Sequence, residues 1–97
     1  MKPDRIQITA PVETETPWTV SGPGLTKSYE FESFSQAALF GIYVEEIAGE
    51  VDGAAARLCL VDSTLTIKAK PTDSDQITNA VYELAALVDA AVAALEE

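Results

Sequence analysis

The residues of this chain that could move a proton or hold a metal are few. Glu50 and Asp52 stand in the stretch EVDG, Asp73 and Asp75 flank a serine in TDSD, and Cys59 sits in RLCLV; across 97 residues there is no histidine. General acid–base catalysis needs a group that titrates near the working pH, which imidazole does unaided. A carboxylate would have to be deeply buried to do the same, at a cost in stability. A zinc site needs several Cys or His ligands, and one cysteine with no histidine cannot furnish them. DSD is too short for a calcium loop and reads as a helix cap with a first-turn acid. SGPG, residues 21–24, lacks the lysine of a phosphate-binding loop and reads as a turn. No catalytic residue, metal or cofactor is expected.

The balance of charge narrows the partners. Sixteen acidic and six basic side chains give a formal charge of −10, and a polyanion is repelled by phosphate backbones and anionic lipid surfaces. Nucleic acid and membrane are not expected partners. Cys59, in an apolar run, is expected to be buried as a small hydrophobe. The first residues lack the apolar segment of a signal peptide, and Glu83 and Asp89 interrupt the apolar C-terminal stretch. A cytoplasmic protein is the expectation.

The elements that must position these residues follow from periodicity. Residues 1–16 carry two prolines and a Thr/Glu alternation and read as a flexible tail, with at most a short strand at RIQIT. Residues 17–97 read as one domain, since a chain of this length forms one core. WTVSGPGLTKSYEFESF is a β-hairpin that turns at Gly22, Pro23 and Gly24, with Leu25, Lys27, Tyr29 and Phe31 on one face of its second strand. Phe34, Ala37, Phe40, Val44 and Ile47 recur every three or four residues and predict a helix over roughly 34–50, with Ser33 or Ser35 as its cap. ARLCLVD and STLTIKAK form two more strands with a reversal at VDST, the second ending at Pro71. A long helix over about 75–95, capped by Asp73 or Ser74, carries Ile77, Val81, Leu84, Val88, Ala91 and Leu95 on one stripe. The order ββαββα gives an α+β fold, a four-stranded antiparallel sheet with both helices on one face.

The spacing of Trp18, Leu25, Lys27, Tyr29, Phe31, Phe34, Ala37, Phe40, Val44 and Ala48 resembles the pterin-4a-carbinolamine dehydratase family, whose members read as a tryptophan, a hairpin ending Leu-x-Arg-x-Phe-x-Phe, then Phe-x-x-Ala-x-x-Phe. STLTIKAKPTDSD and ITNAVYELAALVD extend the likeness, which covers about residues 17–90 and lacks the family's N-terminal helix. The resemblance implies an active site of Glu-x-x-x-His-His-Pro, a third histidine after the last strand and an aspartate in the last helix. Carried over by position, Glu50 remains, while the His-His-Pro run falls on Ala54, Ala55 and Ala56. A one-residue slip onto Gly53, Ala54 and Ala55 recovers no histidine. The third histidine falls near Thr72 and the aspartate near Val81, with Asp73 or Asp75 the nearest replacements. Glu50, Ala54, Ala55 and Thr72 thus mark a degenerate former site, and a pseudoenzyme without dehydratase activity is expected.

Function must then lie in surfaces. Trp18 reads first as a core residue and otherwise as a partner anchor. Tyr43, with Glu45 and Glu46, lies opposite Phe40 and Val44 on the first helix and is a candidate contact. TLTIKAK is expected at a sheet edge that pairs with a second copy, so a homodimer or larger assembly is expected, and the family likeness implies dimers through the sheet and sometimes tetramers through helices. The chain also resembles a histidine-free subgroup associated with α-carboxysomes that helps assemble Rubisco. That likeness implies a noncatalytic assembly chaperone whose partner is the Rubisco large subunit. The alternatives are a small-molecule-binding or regulatory module using an emptied pterin groove, or weak residual dehydratase activity.

Overall fold

The computed structural model describes Pro11 and residues 17–95. The expected tail of residues 1–16 therefore lies outside the described residues, apart from Pro11, which is buried. Six elements follow in order: β1 (Thr19–Ser21), β2 (Gly24–Glu30), α1 (Phe34–Gly49), β3 (Ala54–Val61), β4 (Thr64–Pro71) and α2 (Asn79–Leu95). The strands form one antiparallel sheet in the order β1-β2-β4-β3. Both helices cover one face, as the ββαββα pattern predicts, so this is an α+β fold.

Strand β4 alternates without a break. Leu65, Ile67, Ala69 and Pro71 are buried, while Thr64, Thr66, Lys68 and Lys70 turn to the other side, as the period-two geometry of a strand requires. Its register places Leu65 opposite Tyr29 and Ala69 opposite Leu25 on β2, and Ile67 opposite Leu58 on β3. Ala37, Phe40 and Val44 of α1 and Val81, Leu84 and Val88 of α2 close the core from above. Phe40 sits at its centre, edge-on to Tyr29 at 6.0 Å and tilted against Phe31 at 5.4 Å, geometries that aromatic quadrupoles favour.

Local chemistry sets the ends of the elements. Ser33 caps α1: its hydroxyl accepts from the Gln36 amide at 3.2 Å and its carbonyl from Ala37 at 3.1 Å. The β1–β2 turn uses Gly22 at φ +60°, and the β3–β4 turn places Asp62 at φ 56°, a conformation that aspartate tolerates better than most side chains. Gly24 is required for a different reason, because a Cβ there would lie 2.5 Å from the Ala69 carbonyl oxygen.

Four expectations are corrected. TLTIKAK is not an edge: β4 is hydrogen-bonded on both sides, and the free edges are β1 and β3. The strand after α1 takes the outer position, so the last strand fills the gap between β2 and β3. Cys59 is exposed rather than buried, because Leu58 and Leu60 face the helices and period-two geometry turns Cys59 to the bare side. Phe34 is 58% exposed, since at 3.6 residues per turn it points roughly 90° away from the mean direction of Ala37, Phe40 and Val44. Helix α2 starts at Asn79, not near 75. Ser74 instead closes a local turn, accepting from the Gln76 amide at 3.0 Å and donating to its carbonyl at 3.1 Å. The Thr78 carbonyl receives the first bond of the helix, from Val81 at 3.0 Å, while its hydroxyl oxygen is buried with no partner.

Replacing Gly24 with alanine should separate β2 from β4 and cost about 2–3 kcal/mol, measured as a lower urea midpoint with an unchanged slope.

Candidate functional site

The positions expected to mark a degenerate site do not form one cluster. Ala54 opens β3 beside Pro71, and the Thr72 amide donates to the Gly53 carbonyl at 3.1 Å, so Gly53, Ala54 and Thr72 meet at one end of the sheet. Gly53 has φ +94°, and a Cβ added to it would come within 3.3 Å of the Ala80 methyl. This corner is therefore packed closely against the start of α2. Ala54 is buried on the helix side, whereas Ala55 pairs with Lys70 and follows the outward positions of β3. Val81 is fully buried in the core. Glu50 caps the end of α1 and is exposed, as are Asp52, Asp73 and Asp75. None of these carboxylates has the burial that acid–base chemistry without histidine would need. Among the described residues no three His, Cys, Asp or Glu side chains come together to hold a metal ion.

Helix α1 instead forms a ridge between two shallow depressions. On its β3 side a hollow of about 210 Å³ is lined by Ala38, Gly41, Ile42, Glu45, Leu58, Leu60 and Leu65. On its α2 side a hollow of about 310 Å³ is lined by Tyr43, Ile47, Glu50, Leu87, Ala90, Ala91 and Ala94. Ile42 is 60% exposed and Tyr43 41%, and Tyr43 is steadied edge-on by Phe40 at 6.2 Å. Glu45, Glu46 and Glu50 stand around this apolar crest. The structure thus gathers Tyr43, Glu45, Glu46 and Glu50 on one surface. An apolar centre with a charged rim has the composition of a macromolecular contact.

No protein-family model matches the chain, and no curated protein matches it significantly. Its surface must be read from its own chemistry.

Trp18 does not join the α1 ridge. Its indole is half-buried against the core and donates through Nε1 to Asp89, 3.0 Å from both carboxylate oxygens. Tyr29 donates its hydroxyl to Asp89 Oδ1 at 2.8 Å, and Lys27 Nζ approaches the same oxygen at 3.2 Å while lying 5.0 Å from the Tyr29 ring centre. Sequence reasoning missed this cluster, although its signal was present. Lys27 shares a strand face with Leu25 and Tyr29, so a cation there must find an acid, and Asp89 is the acid α2 places above β2. Three donors on one carboxylate tie β2 and the residue before β1 to α2.

Substituting Asp89 with alanine should destabilise the fold by about 2 kcal/mol, as expected when charge-assisted hydrogen bonds are lost from a partly buried site. A lower denaturation midpoint with a red-shifted Trp18 emission would show it; an unchanged midpoint would mean the cluster is incidental.

Proposed function

We propose that this chain is a noncatalytic dehydratase-like protein that acts as an assembly chaperone, with the unassembled Rubisco large subunit as client. The observation that carries the reading is the pairing of two features. Alanines stand where the resembling family has histidines, and the exposed apolar ridge of α1, with Ile42 and Tyr43 among Glu45, Glu46 and Glu50, offers a broad contact surface. The two hollows are open and shallow, which suits a protein client better than a small molecule that must be largely enclosed.

The same reading includes a homodimer. Strand β3 presents an eight-residue free edge, flanked by the apolar hollow of Ala38, Ile42, Leu58 and Leu60. A second β3 added in antiparallel fashion would satisfy its outer backbone groups and leave the crest of α1, with Ile42 and Tyr43, to the client.

The reading predicts that tagged protein retains unassembled Rubisco large subunit, and that an Ile42→Glu, Tyr43→Ala variant retains at least about tenfold less, as expected when central interface residues are lost. It also predicts twice the chain mass by sedimentation at micromolar concentration. Turnover of a 4a-hydroxypterin above the spontaneous rate would overturn the noncatalytic part, and a monomer mass the dimer.

A further inference from the structure

The helix-free face of the sheet has a chemistry opposite to that of the whole chain. Four of the six cations lie among the described residues: Lys27, Arg57, Lys68 and Lys70. Lys27 is tied to Asp89 on the helix side. The other three stand on outward positions of β3 and β4, where Lys68 is the direct partner of Arg57, and Lys70 lies two residues further along. No ion pair engages any of these three among the described residues. On β2 and β4 the outward positions around them are hydroxyls, Thr26 beside Lys68, then Ser28 and Thr66, whose side-chain oxygens lie 2.8 Å apart, and Thr64, while β3 adds Ala55, Cys59 and Val61.

Among the described residues, one acid shares this face, Glu30 at its far end, and the others lie around it. Glu30, opposite Thr64, and Asp62, in the β3–β4 turn, lie at one end; Asp52, Asp73 and Asp75 lie in the loops at the other. Glu45, Glu46, Glu50 and Glu83 are exposed on the helix side, beyond a sheet-and-helix layer of roughly 10 Å. At physiological ionic strength the screening length is about 8 Å, so the local field of the three cations survives the net charge of the molecule.

We infer that this helix-free sheet face is a docking surface for a short acidic protein segment, one that presents two or three carboxylates along one side of a helix. Lys68 and Arg57, on adjacent strands, are about 5 Å apart, and Lys68 and Lys70 about 7 Å apart along β4. Carboxylates one helical turn apart have a matching spacing of about 5–6 Å. The serine and threonine floor supplies donors to the same carboxylates at little steric cost. The acidic ends of the face set its specificity: a short segment fits between them, whereas a long polyphosphate would run over them and be repelled. This surface lies on the opposite side of the sheet from the α1 ridge, so the inference does not rest on the client proposed above. It would hold whether that client is correct or not.

The test is a titration of the full-length, ¹⁵N-labelled protein with a synthetic helical peptide carrying glutamates one turn apart, followed by amide chemical shifts. Shifts should centre on Thr26, Thr66, Arg57, Lys68 and Lys70. Binding should weaken at least about tenfold in roughly 0.5 M salt, where screening shortens to about 4 Å. It should weaken as much in an Arg57→Ser, Lys68→Ser, Lys70→Ser variant, whose dispersed spectrum would show that the fold is kept. A lysine-for-glutamate peptide should cause no shifts there. Absent shifts, shifts confined to the helix side, or unchanged binding by the triple variant would overturn the inference. So would tighter binding of a single-stranded oligonucleotide or of anionic vesicles at the same face.

Discussion

The double pairing of β4 is the constraint on which the remaining structure depends. A central strand with a strict period of two cannot slip by one residue without turning Leu65, Ile67 and Ala69 to the solvent and Thr66, Lys68 and Lys70 into the core. Because β2 and β3 are each registered against β4, the same choice orients Tyr29 beneath Phe40 and Leu58 beneath Gly41. It also assembles the outward side, where three cations from two strands become neighbours. The core and the cationic face are two consequences of one register.

Asp89 does for the edge of the fold what β4 does for its centre. Strand β1 has only three residues, too few to hold itself by its ladder alone. The Trp18 indole, the Lys27 ammonium and the Tyr29 hydroxyl share one carboxylate of α2, joining positions 60 to 71 residues apart in the chain. Lys27 retains only 15% side-chain exposure, so its charge is largely removed from water and depends on Asp89 for compensation. A polar pin of this kind fixes where α2 lies along β2, which dispersion contacts among small side chains such as Ala85 and Ala91 specify less sharply.

The two sides of the molecule therefore have different surface chemistry. The helix side carries apolar crests within an acidic field; the other side carries hydroxyls and three cations that pair with no acid among the described residues. The positions expected to mark a degenerate site lie elsewhere again, with Gly53, Ala54 and Thr72 in a packed corner at one end of the sheet. The chemistry of a site depends on the side chains placed on a scaffold and not on the scaffold itself.

Much of the fold was legible in the sequence because periodicity reports burial directly. The alternation in LTIKAK, the three-to-four spacing of Ala37, Phe40 and Val44, the Ser33 cap and the turn at Gly22 each carry a local signal, and each appears in the structure. The candidate site was legible only in part: Tyr43, Glu45 and Glu46 were found on the outward side of α1, but their continuity with Ile42 and with the hollows needed neighbours from β3 and α2. What the sequence alone determined was the identity of the elements, their order and the absence of imidazole chemistry, all properties of local pattern and composition. Tertiary structure alone decided that β4 lies inside the sheet, that Cys59 faces out, that Asp89 gathers three donors, and that Arg57 joins Lys68 and Lys70. Each of these depends on which strand pairs with which, and no local pattern encodes the free energy of contacts between residues distant in the chain.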